Sequence, residues 1–226
     1  MIPVVKICCI ASIEEARLAI AAGAGALGLV SAMPSGPGVI GDDRITEIAA
    51  AVAPPTETFL LTALTDAEAI AAQHAAAGTT TLQLVDDVPH AELQRLRTLR
   101  PGVTLVQVIH VVGDTSVDEA LAVAPWVDAL LLDSGNPALA VKQLGGTGRT
   151  HDWALSRRIR DAVWPLPLYL AGGLHAGNVA EAIAQVQPHG LDLCSRVRSD
   201  GRLDEAKLNA FMAAVRAAVR PVPSAA

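Results

Sequence analysis

The sequence predicts an α/β protein folded as one (β/α)8 barrel, the TIM-barrel architecture, and three observations predict it. Eight apolar runs of strand length recur along the 226 residues. Segments carrying helix-start signals separate them. Glycine-rich strings follow the later runs, where a barrel of parallel strands places its binding loops. The length suits one domain, expected over 1–220, with a Pro-rich tail at 221–226 expected to fray.

The runs are Pro3–Ile10, Ala26–Val30, Glu57–Ala63, Thr80–Leu84, Thr104–Ile109, Ala129–Leu132, Leu166–Leu170 and Gly190–Leu193. Most are continuously hydrophobic, the pattern of parallel strands covered on both faces. Between them, Ser12 with Glu15, Thr65 with Glu68 and Ser116 with Glu119 fit the capping-box spacing that opens a helix. The last helix is expected near 204–219. An open doubly wound sheet is the competing fold, but no G-x-G-x-x-G follows the first strand.

Composition narrows the function. Half the chain is hydrophobic (51%) and only 3% aromatic, so the core is aliphatic. A net charge of −6 with scattered basic residues excludes the basic stripe of a nucleic-acid binder. No run is long enough to span a bilayer, and the start lacks a secretory pattern. The expectation is a cytoplasmic protein with no nucleic-acid and no membrane partner, a monomer or homodimer. Three cysteines, Cys8, Cys9 and Cys194, form no disulfide framework. His110, His175 and His189 lack metal-ligand spacing and are expected on the surface or in loops, with no metal site.

Strand alternation places Lys6 and Cys8 on one face and Cys9 on the other. A cation beside Cys8 would activate the thiol as base or nucleophile. Two small buried hydrophobes fit the same spacing. Asp133, at the top of an apolar strand, is placed to be desolvated and to act as a general acid; an ordering Asp in a turn fits as well. The string Gly145-Gly146-Thr147-Gly148 offers bare backbone N–H groups. So do Gly172-Gly173 after strand 7 and Ser195-Arg196 after strand 8, the usual phosphate position of this fold.

Lys6-Ile7-Cys8, the strand 130–134, the loop GGTGRTHDW (145–153) and AGGLHAGNV (171–179) resemble phosphoribosylanthranilate isomerase, in order and over nearly the whole chain. The resemblance implies a cofactor-free Amadori rearrangement of a small phosphorylated substrate. Cys8 would be the base that removes the ribose C2 proton, and Asp133 the acid that protonates the ring oxygen. Lys6, Gln83, the glycines of 145–148 with Thr147, Gly172, Gly173, Ser195 and Arg196 would bind substrate or phosphate. The chain departs from the family pattern in places. Cys9 stands for a Gly, Val85 for a His, Arg196 for a Gly, and the loop 33–40 lacks the Arg that meets the anthranilate carboxylate. A barrel isomerising another sugar phosphate, or a non-catalytic phosphometabolite-binding protein, are the alternative readings.

Overall fold

In a computed structural model describing residues 2–34, 36–135 and 150–219, eight parallel strands close into a barrel. They are β1 (Val4–Ile7), β2 (Ala26–Val30), β3 (Glu57–Thr62), β4 (Thr81–Leu84), β5 (Thr104–His110), β6 (Ala129–Asp133), β7 (Leu168–Leu170) and β8 (Gly190–Leu193). A helix follows each: α1 (Ile13–Ala22), α2 (Asp42–Ala51), α3 (Ala67–Ala77), α4 (His90–Leu99), α5 (Thr115–Val123), α6 (Trp153–Val163), α7 (Val179–Val186) and α8 (Glu205–Ala218). The strands pair in chain order, and β1 closes the ring against β8.

The alternation of each strand sorts its side chains into two cores. Outward residues such as Leu27, Leu60, Leu82, Leu105, Leu130 and Leu191 pack under the helices. Inward residues form the smaller barrel core: Ala26, Phe59, Val106, Val108, Leu131 and Tyr169. The Phe59 and Tyr169 rings meet edge to face, 5.8 Å apart, so two aromatics fill what many aliphatics would otherwise fill.

Several strand ends differ from expectation for local reasons. β1 stops at Ile7, because Cys9 adopts a left-handed φ of 64° that no strand can continue. β7 begins only at Leu168, since Pro165 and Pro167 have no N–H for a ladder. β5 and β6 each run one residue further, to His110 and Asp133, which pair in register.

One expected helix start holds in part and two are corrected. Ser12 Oγ accepts from Glu15 N at 3.2 Å, but the Glu15 carboxylate receives Ala11 N rather than Ser12 N. At α3 the cap is Asp66, accepting from Ala69 N at 2.9 Å, not Thr65; Glu68 pairs instead with Arg95. At α5 Ser116 lies inside the helix, fully buried, donating to His110 O and accepting from Val112 N. The tail 221–226 lies outside the described residues. No helix among those described is long and apolar enough to cross a membrane.

Candidate active site

Inward-facing polar side chains gather toward the carboxyl ends of the strands. Lys6 sits within the barrel, 0% exposed, its Nζ 2.9 Å from Asp192 Oδ1 and 5.2 Å from the centre of the Phe59 ring. Burial alone would strip its proton. Asp192 and the neighbouring thiols outweigh that and hold the ammonium above its ordinary pKa. Cys8 follows one layer higher, buried at 7% exposure, its N–H continuing the ladder to Leu193 O at 2.9 Å. Space for both comes from Gly28 on β2. A Cβ there would come within 2.9 Å of the Cys8 sulfur and 3.1 Å of Lys6 Nζ.

Asp133 ends β6 at 9% exposure. Burial raises its pKa, and Asp192 pushes the same way; the Ser134 N–H, donating to Oδ1 at 2.7 Å, with His110 and Lys6, pulls it back. The net shift is upward, which keeps the carboxyl protonated to higher pH. His110 corrects the expectation of a surface or loop histidine. It is 7% exposed and shares a hydrogen bond with Val85 O at 3.0 Å, beside Asp133 in register.

Gly172 and Gly173 follow β7 with φ of 83° and 63°, a conformation that favours glycine. Ser195 and Arg196 form a short 3-10 turn after β8. These four line one small cavity of about 60 Å³ together with Asp133, Asp192 and Cys194. The geometry thus brings a carboxyl of raised pKa and the loops after β7 and β8 to one place.

The two adjacent cysteines do not divide as strand alternation requires. Cys9 lies beyond the strand end, and its left-handed turn keeps it in the inner core beside Cys8, at 5% exposure. The backbone there is clamped. Arg198 donates to Cys9 O at 2.5 Å and Cys8 O at 3.2 Å while pairing with Glu15 of α1 at 3.0 Å.

Gln83 faces inward from β4, 3% exposed, with Oε1 unpartnered. Gly145, Gly146, Thr147 and Gly148 lie outside the described residues. Val39 and Ile40 lie against the end of β2, with Ile40 N donating to Val30 O at 3.0 Å. Arg44, the next cation, is spent on Glu47 at 2.7 Å on the outer surface. Sequence reasoning missed Asp192, His110 and Arg198. A single charge inside an apolar strand, as Asp192 is in Gly190–Leu193, was the available signal: it requires a partner, and Lys6 was the other such charge.

Comparison with known proteins adds independent findings. The profile of the family described as PRAI, N-(5'phosphoribosyl)anthranilate (PRA) isomerase, matches residues 5–214. The N-(5'-phosphoribosyl)anthranilate isomerase of Haloferax volcanii is 38% identical over 217 residues, covering 95% of this chain and 93% of its own. The phosphoribosyl anthranilate isomerase structure from Thermotoga maritima superposes with a TM-score of 0.81 at 25% identity, over 95% of this chain and 99% of that one. A further isomerase, crystallised with reduced 1-(o-carboxyphenylamino)-1-deoxyribulose 5-phosphate, shares the fold at a TM-score of 0.79 and 23% identity, over 95% and 99% of the two chains.

Proposed function

The chain belongs to the phosphoribosylanthranilate isomerase family, and from that premise we propose that Cys8 and Asp133 are the base and acid of its reaction. The protein is an isomerase of the aldose–ketose type, acting on phosphoribosylanthranilate in tryptophan biosynthesis. The observation that carries the site assignment is the cavity shared by Asp133, Gly172, Gly173, Ser195 and Arg196. A proton donor there stands next to loops able to hold a phosphate.

The chemistry follows from these positions. The N–H groups of the loops after β7 and β8 receive the 5-phosphate. Asp133, whose pKa burial raises, gives a proton to the furanose ring oxygen as the C1–O bond breaks. Cys8 takes the C2 proton, and the resulting enamine becomes the aminoketone. Proton transfer by positioned groups is worth roughly 10²–10⁴-fold each. Lys6 is too buried to touch substrate in this arrangement. Its place is structural, beneath Cys8 and fixed to Asp192. The substrate is a small phosphorylated aminosugar, and the setting we assign is cytoplasmic, as monomer or homodimer.

Steady-state kinetics on phosphoribosylanthranilate test the assignment. Cys8→Ala is expected to lose turnover below detection and Cys9→Ala to keep it. Since both thiols share the inner core, the distinction rests on Cys8 preceding the turn, still in the ladder to β8. Loss in Cys9→Ala with Cys8→Ala near normal would transfer the base to Cys9.

A further inference from the structure

We propose that Cys9 and Cys194 are a redox pair that closes to a disulfide across the seam between β1 and β8 when a hydroperoxide reaches the barrel mouth. Their sulfurs stand 2.7 Å apart, and a disulfide measures about 2.05 Å. Closure therefore takes roughly 0.7 Å of sulfur travel. The backbone on both sides is already held in place. Cys8 N is bonded to Leu193 O, and Arg198 grips the carbonyls of Cys8 and Cys9.

The two thiols differ in the way a reactive and a resolving cysteine must. Cys194 is half-buried and lines the cavity with Ser195 and Gly172, so a small oxidant can reach it. Cys9 lies behind it, packed against the loop after β2. A side chain on Gly38 would collide with Cys9 Cβ. With both thiols protonated, Cys194 donates to Cys9, which donates to Pro37 O at 3.5 Å. Once Cys194 gives up its proton, Cys9 turns its own S–H toward it. That hydrogen bond, then Arg198, stabilises the Cys194 thiolate, while Cys9 is pushed well above the usual thiol range by its bonds to Cys194 and Cys8. The thiolate is the nucleophile.

The steps balance. The Cys194 thiolate attacks one oxygen of hydrogen peroxide and the O–O bond breaks. The departing hydroxide takes a proton and leaves as water, and Cys194 becomes a sulfenic acid. Cys9 then loses its proton and attacks the Cys194 sulfur, and the S–O bond breaks to release a second water. Two thiols are oxidised by two electrons, and one peroxide is reduced to two waters. Cys8, also within hydrogen-bond reach of Cys9, stays a thiol. Bridging it to its own neighbour would require remodelling the Cys8–Cys9 peptide, whose carbonyl Arg198 holds together with that of Cys9.

The experiment treats the reduced full-length protein with stoichiometric hydrogen peroxide, blocks remaining thiols by alkylation and maps peptides without reduction. The expected result is the loss of two hydrogens from the intact mass, one alkylated thiol at Cys8, and a linked peptide containing Cys9 and Cys194. Dithiothreitol should reverse it. In Cys9→Ser, Cys194 should instead gain oxygen, stopping at sulfenic or sulfinic acid; in Cys194→Ser the linked peptide should be absent. A link between Cys8 and Cys9, a link only between two molecules, or retention of all three thiols after the peroxide treatment would overturn the proposal.

Discussion

Asp192→Asn leaves the ammonium of Lys6 buried without its counter-charge. The two atoms are 2.9 Å apart, with Lys6 at 0% and Asp192 at 7% exposure. At an effective dielectric of about 20 their attraction is about 6 kcal/mol. Desolvation of both charges opposes it, so breaking one partner of such a pair costs about 3–5 kcal/mol. The buried lysine has an escape, which sets the pH dependence. In the native protein its pKa is raised, so its contribution is complete below the unfolded value near 10.5 and disappears only above it. Without Asp192, burial dominates and the folded pKa falls below 10.5. The unfolded chain then binds the extra proton, and the variant gains stability as pH rises toward 10.5. Urea unfolding of both proteins from pH 6 to 9.5 reads this as a gap of about 3–5 kcal/mol that narrows with pH. The double variant Lys6→Met/Asp192→Leu should recover most of the loss, since neither charge then needs solvating. A gap under about 1 kcal/mol at every pH would mean the pair is solvated in a way the 0% exposure of Lys6 forbids.

Asp133→Asn should lower kcat by roughly 10²–10⁴-fold with KM little changed. Because burial raises the Asp133 pKa, the wild-type rate should fall on its alkaline side as that proton is lost; normal kcat in the variant would remove Asp133 from the reaction. Gly38→Ala places a methyl against Cys9 at a φ of 80°, and should cost about 1–3 kcal/mol in a chemical-denaturation midpoint. An unchanged midpoint would show the loop after β2 free to move off the thiol. His151 is held neutral by burial with a pKa of about 4. Its depressed pKa contributes stability above pH 6.5 that is lost as pH falls toward 4, at most about 3 kcal/mol. The slope of stability between pH 7 and 4.5 should flatten in His151→Asn, and an identical slope would count against the burial of that ring.

The repeating strand–helix order was legible because parallel strands covered on both faces must be apolar throughout. Ala26–Val30 could be bounded to the residue, since the turn residues Gly25 and Ser31 flank it, and Gly190–Leu193 was bounded equally well. Capping was less legible: Thr65 and Asp66 are both competent caps, and only the backbone entry into α3 selects Asp66. The grouping of Cys8 with Cys9 was not legible from strand alternation. Alternation holds only while a strand continues, and the left-handed residue that ends β1 is the second cysteine itself. A turn at a non-glycine residue leaves no mark in the chain itself; the one available signal was the Gly that the family pattern carries where Cys9 stands. His110 was invisible for a related reason. Its burial depends on β5 running one residue further, and on Val85 O at the end of the neighbouring β4 to receive it.

The meeting of β1 with β8 bears on how the molecule is made. These strands come from opposite ends of the chain, and a ribosome delivers the second long after the first. Until Gly190–Leu193 arrives, Lys6 has no Asp192, Cys8 N has no Leu193 O, and Arg198 is not there to grip the turn at Cys9. An incomplete chain thus carries the proposed base without the geometry that would make it one. Appearance of turnover during synthesis or refolding would time the locking of that last strand, making the enzyme a reporter of its own ring closure.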